Sequence, residues 1–356
     1  MHKLHLVRSK STHTVPRLLA GAGGGLNFLK PIGRPFSLLD LTISYPFVEE
    51  SISIVTVALV SLLAPAVIIG IVCIAFVPGR ASRRSLTRSQ VIRRKLWELY
   101  VGLAGLALSV ALGFLVTQGV KNIFPKHRPH FIALCDPDLS DIASHVVGGL
   151  GQDISSRWTL VSPTICRTLD SGMLDDSFRS FPSGHCSFAW SGLLYLTCFL
   201  CSKFCIAIPF LPNQLKGYQW PGTAQSSADV ELLPLPATSS SATSKSPLQQ
   251  PANTPVAEAT QLYNQAAAPP SYGVILALIP LGVATYIAST RYAQYWHFGF
   301  DVLAGSLIGI VSAFFAFRWY HLPIRRGSGW AWGPRTRDRA FGIGVGVESY
   351  AGPEGY

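Results

Sequence analysis

Residues 52–77 read ISIVTVALVSLLAPAVIIGIVCIAFV, an apolar stretch that contains no charged side chain. A transmembrane helix needs about 20 consecutive, mostly apolar residues, so this stretch predicts a membrane span. Pro65 inside it is compatible with a span, because neighbouring helices can satisfy the backbone groups that a proline frees. The stretch therefore places the chain among membrane proteins and predicts that further spans accompany it.

Four more apolar stretches follow along the chain, each about 20 residues long and sufficient to cross the hydrocarbon layer. Lys203 lies so late in its stretch that we expect its amine to snorkel to the interface. The sequence predicts an all-α fold, a polytopic transmembrane helix bundle with five visible spans. The four further spans are Leu96–Val120, Cys186–Leu211, Tyr272–Thr290 and Phe298–Phe317.

The composition supports this class. The 356 residues are 49% hydrophobic and only 13% charged, which is too apolar for an ordinary soluble domain. The net charge of +11 suggests nucleic acid, but basic residues of membrane proteins gather in cytoplasmic loops, so we expect no nucleic-acid partner. Cys198 and Cys201 form a CxxC inside an apolar stretch, and we interpret them as packing residues rather than metal ligands.

The loop charges predict the orientation. Seven basic residues and no acid lie between the first two spans, and five arginines lie in the tail after the fifth: Arg325, Arg326, Arg335, Arg337 and Arg339. Five crossings place both segments on one face, which the positive-inside rule makes cytosolic. Loop 121–184 and residues 290–301 then lie on the lumenal or extracellular face. The basic N-terminus would lie there too, so we expect either a missing helix upstream of Pro35 or an unusual role for residues 18–34.

Composition divides the chain into five segments. A stretch rich in Ser, Thr, Pro, Ala and Gln interrupts the membrane core and cannot bury a core of its own, which predicts a disordered cytosolic insertion. The glycine-rich C-terminal tail also predicts disorder. The segments are a basic, disordered or misassigned N-terminus at 1–34, membrane core at 35–212, the insertion at 213–271, membrane core at 272–325, and the tail at 326–356.

Two polar motifs lie at the ends of spans. In the first, Lys121 and Arg128 can bind a phosphate, as a point charge and a planar fork, or can simply mark a basic helix end. The second is Phe181-Pro-Ser-Gly-His185, in which Ser183 is a plausible helix N-cap. The same geometry can bind an anion on free backbone N–H groups, with His185 beside it to pass a proton to a leaving oxygen.

A third motif, Thr290–Asp301, lies between the last two spans. It holds Arg291, His297 and Asp301 where lipid penalises polar residues heavily. His297 and Asp301 stand four apart, so on a helix they share a face and the carboxylate can hold the imidazole. An oriented imidazole beside a guanidinium is a nucleophile next to an anion site.

The order Lys-x6-Arg-Pro, Pro-Ser-Gly-His and Arg-x5-His-x3-Asp, all on one predicted face, resembles the type 2 phosphatidic acid phosphatase superfamily, in its lipid phosphate phosphatase branch. The resemblance covers about Pro35–Arg325 apart from the insertion. Pro35–Phe47, Cys135 and Cys166 look like the fungal diacylglycerol pyrophosphate and phosphatidate phosphatases. The family has six membrane helices, so the resemblance supports a missing N-terminal helix.

The resemblance implies a role for each motif residue. It implies phosphate binding by Lys121, Arg128 and Arg291, and oxyanion contacts from Ser183 and Gly184. It implies that His185 is the proton donor, His297 the nucleophile that forms a phosphohistidine, and Asp301 the residue that orients it.

The sequence also departs from the family pattern. Thr290 stands where the family usually has Ser, and Pro125-Lys126 replaces a Gly-Arg pair, while the charged anchors are retained. Cys135 and Cys166 lie in the predicted lumenal loop, where an oxidising compartment permits a disulfide between them.

The function predicted from these residues is hydrolysis of a lipid phosphate: phosphatidate, lysophosphatidate or diacylglycerol pyrophosphate. We expect no metal and no cofactor, because three fixed cations can neutralise the transferred phosphoryl group and no motif holds a lumenal carboxylate cluster. Two alternatives are transfer of the phosphoryl or headgroup to another alcohol, and a non-catalytic lipid-binding scaffold. The predicted location is an endomembrane (vacuole, Golgi or ER) or the plasma membrane.

Overall fold

The structure is a computed structural model that describes residues 11–78, 86–149, 153–155, 159–204, 206 and 271–321. It is mostly helical, and five helices are long and apolar enough to cross a membrane, which confirms the predicted all-α polytopic bundle. The insertion 213–271, apart from Ser271, and the tail 326–356 lie outside the described residues, so their predicted disorder stays a prediction.

The five membrane spans are α2 (Ile54–Phe76), α3 (Arg88–Ile123), α6 (Gly184–Lys203), α7 (Ser271–Ala293) and α8 (Gly299–Tyr320). The shorter elements are α1 (Ser11–Asn27), α4 (Phe131–Cys135), α5 (Ser171–Ser177) and the antiparallel strands β1 (Val146–Gly148) and β2 (Leu160–Val161). Single 3-10 turns occupy Leu41–Ile43, Ala143–His145 and Pro163–Ile165.

The largest shifts from the predicted boundaries are at the start of α3 and the end of α6. Helix α3 begins at Arg88, because Thr87 and Gln90 form a capping box that starts the helix before its apolar part. Helix α6 ends at Lys203, earlier than predicted. The predicted snorkelling of Lys203 is wrong: its side chain is buried and pairs with Glu98 of α3, since a partner carboxylate lies at the same depth.

Helix α6 is the centre of the bundle and packs against α2, α3, α7 and α8. Tyr195 and Phe199 of α6 are buried in the main core with Leu106 of α3 and Phe317 of α8. The Tyr195 hydroxyl donates to the Gly102 carbonyl, 3.0 Å away, so its polar group is satisfied inside the core.

Two glycines let α8 approach α6 closely. A Cβ at Gly305 would lie 2.4 Å from the Ser183 carbonyl oxygen, and one at Gly309 would lie 2.5 Å from that of Ser187. Glycines four residues apart share a helix face and allow two backbones to meet. The Ser183 N–H donates to the Asp301 carbonyl at 3.0 Å, so the second and third motifs become neighbours.

Within the described part of the N-terminal segment, a helix, α1, occupies Ser11–Asn27. Helix α1 runs parallel to α3, because Gly23 lies against Phe114 while the Leu26 carbonyl accepts from the Asn122 amide at 2.8 Å. The carbonyl of Asn27 accepts from Arg179 at 3.1 Å. Helix α1 therefore packs along α3 and ends beside the second motif, and both alternatives for this region stay predictions.

A small folded layer, here called the cap, covers the end of the bundle that carries the motifs. It comprises residues 35–51, 125–149, 153–155 and 159–180. Its core is apolar and includes Phe36, Phe131, Val161 and Phe178. The Phe36 and Val161 backbones exchange hydrogen bonds of 3.1 and 2.9 Å. A disulfide joins Cys135 to Cys166, with their Cα atoms 4.6 Å apart, and links the two ends of the loop between them.

Candidate active site

The three motifs meet under the cap. The Lys126 N–H donates to the Phe178 carbonyl and the Ser180 N–H donates to the Lys126 carbonyl, both at 2.9 Å, which ties the first motif to the segment before the second. The Lys121 amine lies 3.8 Å from the Cβ position of Gly184. Together with the bond between Ser183 and Asp301, these contacts bring the predicted residues into one cluster.

His297 is 3% exposed and lies just before α8, whose N-cap is Phe298. Its Nδ1 is 2.7 Å from the Ser180 carbonyl oxygen. A carbonyl can only accept, so this bond places the proton on Nδ1 and leaves the Nε2 lone pair free. The arrangement presents a nucleophilic nitrogen of fixed orientation.

The charge state of His297 suits a nucleophile. Burial lowers the pKa of His297 well below its usual value, and the charges of Arg128 and Lys121 lower it further. The hydrogen bond to Ser180 acts in the opposite direction but does not offset them. The imidazole is therefore neutral at physiological pH, the form in which Nε2 can attack phosphorus.

Asp301 is fully buried. The sequence predicted that its carboxylate would bind the ring of His297, but in the structure it binds other groups. Its Oδ2 accepts from the Ser180 hydroxyl at 2.6 Å and from the Phe298 N–H at 3.2 Å. The reason is that His297 precedes α8, so the two residues do not share a helix face. Asp301 orients His297 indirectly, through Ser180, whose carbonyl holds the ring.

Lys126 is the cation that pairs with Asp301. Its amine lies 2.7 Å from Asp301 Oδ1 and 4.1 Å from the centre of the Phe298 ring. In the sequence, Lys126 stands out only as a departure from the family pattern. The structure shows that it partly neutralises the buried carboxylate on which Ser180 depends.

Two arginines predicted to bind phosphate each pair with an acidic residue: Arg128 with Asp176, and Arg291 with Glu50. Arg128 is 5% exposed, donates from Nε to the Asp176 carbonyl at 3.2 Å, pairs with the Asp176 carboxylate and lies 4.8 Å over the Trp296 ring. Arg291 is fully buried and donates from Nη2 to Gln294 at 3.1 Å. A guanidinium has five N–H donors, so both arginines keep donors for a phosphoryl group.

The second motif forms the N-terminus of α6, a position at which helices can bind anions. Ser183 is the N-cap of α6, yet its hydroxyl makes no capping bond. Within the described chain this buried hydroxyl has no hydrogen-bond partner. The first N–H groups of a helix lack partners within the helix, so they and the Ser183 hydroxyl can point donors at one bound anion.

Glu50, just before α2, joins this cluster without any signal in the sequence motifs. Its Oε1 lies 2.8 Å from His185 Nε2 and pairs with Arg291. Burial raises the pKa of Glu50, but His185 and Arg291 together outweigh it and hold the pKa below its usual value.

The sequence did not predict that Glu50, Asp176 and Ser180 belong to the site, because their partners are distant in the chain. Two signals were available: Glu49 and Glu50 border an otherwise uncharged apolar stretch, and Ser180 directly precedes the second motif. Among the residues that the structure describes, no three His, Cys, Asp or Glu side chains form a group that could hold a metal ion.

Comparison with known proteins gives the family. A family model described as the PAP2 superfamily matches residues 102–325. The chain is 26% identical over 295 residues to the probable diacylglycerol pyrophosphate phosphatase 1 of Schizosaccharomyces pombe, covering 83% of this chain and 74% of that protein. It is 25% identical over 298 residues to diacylglycerol pyrophosphate phosphatase 1 of Saccharomyces cerevisiae, with the same coverage.

A plant relative is also similar. The probable lipid phosphate phosphatase 4 of Arabidopsis thaliana is 22% identical over 317 residues, which cover 86% of this chain and 70% of that protein. No solved structure matches the chain. The family match spans more than half of the chain and contains all three motifs, so the chain belongs to the PAP2 superfamily.

Proposed function

We propose that this protein is a multi-pass membrane phosphatase that hydrolyses a lipid phosphate through a phosphohistidine at His297. Family membership and the names of its relatives support a lipid phosphate phosphatase. The observation that carries the mechanism is the neutral His297 ring, anchored through Nδ1 to Ser180 with Nε2 free. The proposed substrates are phosphatidate, lysophosphatidate and diacylglycerol pyrophosphate.

The proposed reaction has two displacement steps. In the first, Nε2 of His297 bonds to phosphorus while the bond between phosphorus and the leaving oxygen breaks. The electron pair stays on that oxygen, which takes a proton from His185. The Ser180 carbonyl stabilises the positive charge that the ring acquires. In the second step water attacks phosphorus and His185 takes a proton from that water. The bond between phosphorus and Nε2 breaks, its electron pair returns to Nε2, and phosphate and neutral His297 are released.

The cations of the site support a reaction without Mg²⁺. Phosphoryl transfer depends mostly on positioning and charge neutralisation, which magnesium supplies in many enzymes. Here Lys121, Arg128 and Arg291 bring three positive charges to the same cluster, and the α6 N-terminus adds N–H donors. We propose that these groups take over the neutralising role.

The position of the site suits a lipid headgroup. The motif residues lie at the ends of α3, α6, α7 and α8, where a bilayer places the phosphate of a lipid while its chains stay between helices. We propose that this face is lumenal or extracellular, in an endomembrane or the plasma membrane, because the basic loop before α3 favours the opposite face as cytosolic.

The test is phosphate release from the three proposed substrates by purified protein in mixed micelles, with and without EDTA. We expect release in EDTA, and a loss of more than about a thousandfold in His297→Gln, because the nucleophile is gone. His145→Gln is the matched control, since His145 lies in the cap and bonds Thr164. Wild-type turnover by His297→Gln would exclude the nucleophile, and rescue by Mg²⁺ after EDTA would exclude the metal-free mechanism.

One alternative keeps the chemistry but passes the group to another alcohol. It predicts consumption of the lipid phosphate without matching release of inorganic phosphate, and the same assay measures both. A non-catalytic scaffold predicts binding of the lipid without either change.

A further inference from the structure

Glu50 is held in place from both sides. Its Oε1 contacts His185 Nε2 at 2.8 Å and pairs with the fully buried Arg291. Gln294, which accepts from Arg291, also accepts from the Ser51 hydroxyl at 3.0 Å. The Gln294 amide donates to the Glu49 carbonyl at 3.3 Å. The chain around Glu50 is thus fixed to α7, and its carboxylate is directed at the histidine of the second motif.

We propose that Glu50 is a positioning residue for the reaction: its carboxylate orients His185 as the proton donor and couples it to the phosphate-binding Arg291. The inference rests on the proposed function, which makes His185 the proton donor. It adds a residue from the segment before α2, outside the three motifs and outside residues 102–325 of the family match.

The charges around His185 show why such a carboxylate is needed. Lys121 of α3 and Arg291 of α7 face the start of α6 and disfavour a second positive charge there. His297 lies close enough to interact with His185 electrostatically. On the opposing side stand Glu50 and, from α5, Asp176, whose charge interacts with His185 but is committed to Arg128. Glu50 is therefore the carboxylate that directly contacts the imidazole.

The expected effect of removing this charge has a definite sign. A carboxylate in contact with an imidazole favours its imidazolium form. In Glu50→Gln this contribution is lost, and Arg291 also loses its counter-charge. The basic limb of the kcat profile, where the acid loses its proton, should therefore move to lower pH.

The experiment compares pH profiles of kcat for phosphate release by the wild type, Glu50→Gln, Glu50→Asp and Glu49→Gln. Glu49 is the matched control, because its side chain is exposed next to Glu50. We expect the wild-type limb in Glu49→Gln, a large downward shift in Glu50→Gln and a smaller one in Glu50→Asp. A uniform loss of kcat at every pH, with the limb unmoved, would show a purely structural role and overturn the inference.

A second measurement does not need turnover. Diethyl pyrocarbonate modifies neutral imidazole, so mass spectrometry of the His185 peptide across pH reports its protonation directly. In Glu50→Gln we expect modification of His185 to begin at lower pH than in the wild type; an unchanged profile would contradict the coupling.

If Glu50→Gln does not fold, Glu50→Asp must show the smaller shift. A wild type that releases no phosphate would refute the proposed function, while the modification profile would still test Glu50.

Discussion

Ser180 connects His297, the proposed nucleophile, to Asp301 through two different groups. Its main-chain carbonyl accepts from His297 Nδ1, and its hydroxyl donates to Asp301. Side-chain patterns in a sequence can suggest Asp301 and His297, but they cannot show that a backbone oxygen lies between them. For this reason the residue types of the site could be predicted, whereas the order of contacts could not.

The two groups of Ser180 can be separated by substitution. Ser180→Ala keeps the carbonyl that holds His297 and removes one hydrogen-bond donor to Asp301. We expect kcat to fall about tenfold, which corresponds to the loss of one hydrogen bond to a charged group, and KM to stay unchanged. Steady-state phosphate release measures both constants. Ser144→Ala, which removes a loop hydroxyl bonded to Asp141, is the control. A loss as large as that of His297→Gln would contradict this division of roles.

The charge on Lys126 matters because Asp301 has no exposed surface. Lys126→Met leaves that carboxylate without its cation, and we expect more than a tenfold loss of kcat together with a lower melting temperature. Lys126→Arg retains the charge and should keep most activity. Equal activity of the two variants would mean that the ion pair is dispensable.

At the scale of elements, the contact between α6 and α8 sets the distance between two motifs. The sequence predicted five spans from apolar length alone, and their number and order are confirmed. Their ends were less predictable, since the capping box at Thr87 and the pairing of Lys203 with Glu98 depend on local and tertiary hydrogen bonds. Which helix faces meet depends on small residues such as Gly305, whose partner cannot be inferred from one chain.

Gly305→Ala tests this helix contact. The added Cβ would lie 2.4 Å from the Ser183 carbonyl, a backbone atom that cannot rotate away, so α8 must shift. We expect a loss of about 1–3 kcal/mol in stability, as in overpacked cores, and reduced kcat, because Ser183 and Asp301 separate. Thermal unfolding and phosphate release are the readouts. Gly282→Ala is the control, since a Cβ at Gly282 meets no atom within 4 Å; equal effects of both would refute the explanation.

At the scale of the whole molecule, buried neutral histidines make stability depend on pH. Burial is the largest cause in each case: it lowers the pKa of His130 to about 4 and that of His321 to about 3, and it lowers the pKa of His127 and His297 as well. In the unfolded chain these groups bind protons near pH ~6.5. The stability that they contribute is therefore full above that pH and is lost progressively as the pH falls towards their folded pKa values.

We therefore expect the melting temperature in detergent to fall between pH 7.5 and pH 5. His130→Asn should reduce this fall, since an asparagine amide can still donate to the Tyr295 carbonyl that His130 contacts at 2.8 Å, yet does not titrate. Scanning calorimetry at both pH values measures the difference. A melting temperature that rises on acidification would contradict the assignment of neutral histidines.

The disulfide of the cap offers a chemical test of the fold. Mass mapping without reduction should recover Cys135 and Cys166 in one linked peptide pair, and Cys73, Cys186 and Cys198 as free thiols buried in the bundle. Free Cys135 and Cys166 in the purified protein would contradict the pairing. The linked pair would also support our proposal that the cap faces an oxidising compartment.

Helix α1 is held at its end through main-chain oxygens: those of Leu26 and Asn27 accept from Asn122 and Arg179. Every amino acid carries such an oxygen, so this attachment does not depend on which side chains stand at Leu26 and Asn27. A pattern search confined to the side chains of α1 would therefore miss the contacts that hold its end, because Asn122 and Arg179 supply them from distant parts of the chain.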